Sequence, residues 1–145
     1  MRSPPAPNSP TRDLDRYRSH VRGCLLGGAI GDALGGPVEF WSLDRITSRV
    51  GPRGVRDYLP DDGLVGHTSD EGNHPIIGHI TDDTQMTLFT VEGLIRATVR
   101  SATRGTALGP APIHHAYDRW LDTQLLPGPG VERPGGGWLV REPWL

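Results

Sequence analysis

Lysine is missing from all 145 residues: the 15 basic side chains are all arginine, set against 17 acidic ones for a net charge of -2. A Schiff base, a lysine nucleophile and a P-loop ending in Gly-Lys-Ser/Thr each need an ammonium group on a flexible stem, so all three are excluded. The near-neutral balance also argues against general nucleic-acid binding. Cysteine is nearly as scarce. Cys24 stands alone, so no intrachain disulfide forms, and a thiolate zinc site would need several His or carboxylate partners. Long apolar runs are lacking too. The most apolar window, Gly23 to Gly31, is too short to cross a bilayer and is flanked by Arg22 and Asp32. Met1 to Asp13 carries Pro4, Pro5, Pro7 and Pro10 but no apolar core of the kind a signal peptide needs. A cytoplasmic protein without membrane association is expected. There is no Gly-x-Ser-x-Gly elbow and no His-Glu-x-x-His pair, which leaves serine hydrolase and zincin chemistry without support.

What is present, 35% hydrophobic and 22% charged residues with 20 Gly and 14 Pro, suits one ordinary domain and not a coiled coil or a wholly disordered chain. Residues 1–14 read as a disordered tail and 15–145 as the folded part. From Asp15 to about Leu34 the spacing of Val21, Cys24, Leu25 and Ala29 predicts a helix with one face on a core. Gly23, Gly27, Gly31 and Gly35 recur along one line of that helix. Each costs about 1 kcal/mol relative to alanine, so the line implies close approach of another helix or of a ligand.

Gly36-Pro37 ends this helix, and Ser42 can cap a short second one running to Val50. An irregular stretch rich in Gly and Pro follows from Gly51 to His79, of a length usually functional or mobile. A second strong helix is predicted from Asp82 to about Arg100. Its wide apolar arc, with Met86, Phe89, Ile95 and Val99 beside Leu88, Val91 and Leu94, suits a helix well inside a bundle. A further helix from Pro112 to Gln124 puts Ile113, Tyr117, Trp120 and Leu121 on one face. Trp138, Leu139, Trp144 and Leu145 place large apolar side chains at the end of the chain.

Ile80-Thr81-Asp82-Asp83-Thr84-Gln85-Met86 is the densest chemical signal. Two adjacent carboxylates and a hydroxyl are hard oxygen ligands of the type Mg²⁺ or Mn²⁺ selects. The same residues also suit helix capping and the macrodipole, and both readings stand. The second signal is Gly31-Asp32-Ala33-Leu34-Gly35-Gly36-Pro37-Val38-Glu39, where two acids bracket a helix break. Glu39 can serve there as general acid or base beside a metal-bound water; alternatively Asp32 satisfies a backbone terminus and Glu39 is an exposed acid. Of the histidines, His67, His74 and His79 lie in the irregular stretch, and His114 and His115 are helix neighbours expected to point apart. Most read as polar surface groups, with His79 a candidate ligand contact because it precedes Thr81 so closely.

Together the segments Arg22 to Glu39 and Gly78-His79-Ile80-Thr81-Asp82-Asp83-Thr84-Gln85-Met86 resemble the ADP-ribosylglycohydrolase family, which includes the dinitrogenase reductase-activating glycohydrolases. The resemblance continues through Phe89 to Ala97 and His114 to Gln124. It implies an all-helical bundle that removes ADP-ribose from modified side chains or small ADP-ribosyl compounds, with a pair of Mg²⁺ or Mn²⁺ ions in a central cleft. It further implies Thr81, Asp82 and Asp83 as metal ligands, Glu39 as acid/base or gate, and Asp32 as a residue shaping the substrate site, with His79 kept as a candidate substrate contact by its nearness to Thr81. Family members are considerably longer and carry an Asp-x-Asp segment near their C-terminal end, which has no counterpart after Asp83. The chain is therefore expected to correspond to the N-terminal half of the fold, with weak metal binding and no hydrolysis on its own, and to self-associate through the half-bundle. The alternatives are a non-catalytic remnant or helical binding module that keeps part of the pocket, and an interaction protein completed by a partner chain.

Overall fold

Residues 10–60, 77–125 and 136–141 are described by a computed structural model of the chain. They form helices α1 (Pro10–Gly35), α2 (Leu43–Val50), α3 (Asp82–Arg104) and α4 (Ala111–Leu125), with 3₁₀ turns at Gly36–Val38 and Leu139–Arg141. Among the described residues there is no strand, only an isolated antiparallel bridge between Pro60 and Ile77. The fold is all-α, as the periodicity predicts. No helix among them is long and apolar enough to cross a membrane. His67, His74, Trp144 and Leu145 lie outside the described residues.

Local chemistry sets most helix ends. The first helix starts at Pro10, inside the segment read as tail, because proline in a first turn loses no helical hydrogen bond and has its φ preset. Ser42 caps α2 by accepting the Arg45 amide at 3.3 Å. Thr81 caps α3, which closes at Gly105 in the left-handed conformation (φ 65°), where the Gly105 amide donates to the Ser101 carbonyl.

The core lies between α3 and α4. Phe89 and Ala116 are fully buried there together with Leu139, and Leu88, Trp120 and Val140 pack around them. The two helices cross closely at Gly93, where a Cβ would lie 2.9 Å from the Ile113 Cα and 3.1 Å from the Pro112 carbonyl oxygen. Beside the crossing, Arg119 Nη2 donates to Glu92 Oε2 at 3.1 Å, and both residues are buried. The Trp138 amide donates to the other Glu92 oxygen at 3.2 Å and ties the last described segment to the pair.

This packing differs from the apolar pattern in three places. On α4 the buried positions are Ala116 and Arg119, while Tyr117 and Leu121 lie at the exposed edge. The reason is the contact at Gly93 together with the Glu92–Arg119 pair, which seats a charged residue where hydrophobic periodicity would not look. On α3 the buried residues are Thr84, Phe89, Glu92, Gly93 and Ala97, and Leu94, Ile95 and Val99 are exposed. On α1, Ala33 is buried; of the predicted core-facing stripe Val21 and Cys24 are exposed and Leu25 and Ala29 half-buried, so only the part nearer α3 is partly covered among the described residues.

Candidate functional site

The site forms where the C-terminal end of α1 meets the first turn of α3. An α-helix begins with four amides that lack helical partners. Here Asp32, on another helix, satisfies two of those around the cap. Its Oδ2 accepts the Thr81 amide at 2.8 Å and the Thr84 amide at 3.1 Å. The Thr81 hydroxyl donates to Oδ1 at 2.6 Å, and the Thr84 hydroxyl to Oδ2 at 2.5 Å. Burial pushes the Asp32 carboxyl up, but the two hydroxyls and two amides together outweigh it and hold the group below the ordinary carboxylate range. Asp32 is thus a fixed anion seated on the positive end of α3.

Thr81 is consequently oriented in two ways. Its proton goes to Asp32, and its oxygen accepts the Asp83 amide at 3.3 Å. Gly36 in the 3₁₀ turn makes room for it, since a Cβ there would lie 2.9 Å from the Thr81 methyl carbon.

Next to this junction lies a cavity of about 490 Å³. One wall is the bare backbone of Gly27, Gly28, Gly31 and Gly35; the other carries Asp83, Thr84, Thr87 and Leu88, and Glu39 stands at the helix break. A Cβ at any of those four glycines would meet nothing within 4 Å. Of the two explanations for the glycine line, a packed helix is therefore not observed among the described residues, and open space for a ligand is. Every charged residue lining the cavity is acidic: Asp32, Glu39 and Asp83. Such a wall attracts cations.

The sequence candidates separate accordingly. Asp32 and Thr81 are in direct contact, and Glu39 and Asp83 share the cavity with Asp32. Asp82 is exposed in the same first turn but does not line the cavity, and neither does half-buried His79. Of the two readings of the Thr81 segment the capping one is observed, since Thr81 caps the helix, and the carboxylates of Asp82 and Asp83 are exposed in its first turn. Thr81 does not line the cavity either, but the donors of the segment are all oxygen, a set that fits a hard divalent cation. Thr84 and Thr87 were not foreseen. Thr84 could have been found from its position three residues after a capping threonine, where a second hydroxyl can share one acceptor.

The family model for ADP-ribosylglycohydrolase matches residues 13–143. Over 74 residues the chain is 39% identical to an uncharacterized protein of Archaeoglobus fulgidus, a stretch covering 51% of this chain and 21% of that protein. The alignment thus spans about a fifth of that curated relative's length. No solved structure matches the chain.

Proposed function

The chain belongs to the ADP-ribosylglycohydrolase family, and on that premise we propose that it acts in metal-dependent hydrolysis of the bond joining ADP-ribose to a protein side chain or small acceptor. The observation that carries this reading is the cavity in which an open glycine backbone meets a wall whose charged groups are all acidic. Thr81, Asp82 and Asp83 would hold Mg²⁺ or Mn²⁺, which supplies Lewis-acid polarisation and an activated water when bound. These three oxygens fill at most about half of an octahedral shell, and water or further protein ligands complete it.

Glu39 is the proton carrier in this scheme. It lines the cavity at a chain reversal and is exposed, so it can deprotonate an attacking water or protonate the departing group. Asp32 acts as a positioning residue, because both its oxygens already hold Thr81 and Thr84. The glycines let a sugar approach helix backbone without meeting a side chain. His79, two residues before Thr81, is the candidate for a further substrate contact. A cytoplasmic setting suits a chain whose single cysteine is unpaired.

A second reading, a module that binds ADP-ribosyl groups without cleaving them, is favoured by one observation. The carboxylates of this site are not gathered in threes at metal-ligand spacing among the described residues. One experiment separates the two. The protein is incubated with an ADP-ribosylated peptide and Mg²⁺ or Mn²⁺, with a Thr81/Asp82/Asp83 triple alanine variant as control. Release of ADP-ribose above the control, lost in Glu39→Gln with cation binding retained, establishes hydrolysis and overturns the expectation that the chain is inactive on its own. ADP-ribose binding by calorimetry without release would establish the binding module instead. If Glu39→Gln loses the cation as completely as Asp82→Ala, Glu39 is a ligand and not the proton carrier.

A further inference from the structure

We propose that His114, His115 and Asp118 on α4 form a separate binding site for a borderline transition-metal ion of the zinc class. The three residues are exposed and lie on a different helix from the cavity. On a helix, positions 114 and 118 are four apart and 115 and 118 three apart, so each histidine shares a face with the aspartate. The two rings do not diverge as neighbours are expected to. His114 Nδ1 lies 3.2 Å and His115 Nδ1 3.4 Å from the same oxygen, Asp118 Oδ2. All three ligand atoms are within 4.8 Å of one another.

The two histidine–aspartate separations match what an ion would need. A tetrahedral centre with bonds of about 2.0–2.1 Å has ligand-to-ligand edges of about 3.3 Å, and the two His–Asp distances fall on either side of it. The rings stand edge to face, with centroids 5.9 Å apart and planes at 86°, so they do not stack over the position between their nitrogens. Three protein ligands leave a fourth position for water. Because the side chains are 76%, 67% and 56% exposed, little desolvation opposes binding.

Ligand softness distinguishes this group from the Thr81 segment. Two imidazole nitrogens and one carboxylate favour Zn²⁺, Ni²⁺ or Cu²⁺, whereas an all-oxygen set favours Mg²⁺ or Mn²⁺. The two sites are thus chemically orthogonal, and each can be emptied without touching the other.

The test titrates untagged full chain with ZnCl₂ by calorimetry in excess Mg²⁺, with Co²⁺ absorption as a second readout. The expected result is one saturable Zn²⁺ site per chain. It persists in the Thr81/Asp82/Asp83 triple alanine variant, disappears in His114→Gln/His115→Gln and weakens in Asp118→Asn. Circular dichroism checks that the exposed substitutions leave the helices in place. Absence of saturable binding in the parent protein, or zinc affinity unchanged in the double glutamine variant, overturns the proposal.

Discussion

Asp32 grips Thr81 by both its amide and its hydroxyl, at 2.8 and 2.6 Å, across 49 residues of sequence. The same carboxylate takes the amide and hydroxyl of Thr84. One side chain of α1 thereby does the work of a cap for α3 and sets the direction of the Thr81 oxygen that borders the proposed metal site. The fold and the site share a single fastening, which has consequences that can be measured.

Asp32→Ala should destabilise the protein by about 2–3 kcal/mol, because hydrogen bonds to a charged acceptor are lost and the buried Thr84 hydroxyl is left without its partner. Urea unfolding followed by circular dichroism measures the change. A loss below half a kcal/mol, on the order of an ordinary surface substitution, would mean that water replaces the carboxylate at no cost.

The pH dependence follows in sign from the lowered Asp32 pKa. Its folded value lies below the ordinary carboxylate value of about 3.8, so its stabilising contribution is present above that pH. As pH falls below 3.8 and through the folded pKa, the contribution is lost. Thermal melts from pH 6 downward, compared between the parent protein and Asp32→Ala, should show a gap that is constant near neutrality and narrows in this acid window.

Two glycine-to-alanine substitutions should act in opposite directions. Gly93→Ala pushes a methyl against the backbone of Pro112 and Ile113, and such overpacking costs about 1–3 kcal/mol. Gly28→Ala meets only open space and should stabilise α1 by about 0.5–1 kcal/mol through helix propensity. Because Gly28 lines the cavity, the added methyl should also weaken ADP-ribose binding. Calorimetry of both variants checks the pair.

Breaking the buried pair should be the most damaging change. Glu92→Gln leaves Arg119 buried without its anion and should cost about 3–5 kcal/mol; Arg119→Met leaves Glu92 the Arg96 guanidinium at 3.8 Å and should cost less, and the double replacement should cost less than the sum of the two. A denaturation double-mutant cycle reads the coupling. Strict additivity would show that the two groups act independently.

Several features were legible in the residues alone because they are local. The limits of α2 and α4 and the start of α3 follow from Ser42, Thr81 and apolar spacing within a few turns, and the all-α class follows from the same period. The family resemblance rested on Arg22 to Glu39 and Gly78 to Met86, two short segments whose text is informative without coordinates. Glu39, Asp32, Thr81 and Asp83 were identifiable as a set, since acids flanking a glycine-rich helix break and a helix start announce polar chemistry.

Which of those acids would face a ligand and which would serve the fold was decided only in three dimensions. Asp32 and Thr84 are 52 residues apart, and no periodicity connects them. Arg119 was invisible as a core residue because its burial depends on Glu92 lying opposite, a relation between two helices and not within one. The convergence of His114 and His115 on Asp118 required side-chain torsions that helical spacing permits but does not select. Local pattern specifies the dihedral preferences and apolar faces of each segment; pairing between segments depends on how helices cross, and here that was set by contacts such as Gly93 against Ile113 and Asp32 against Thr81.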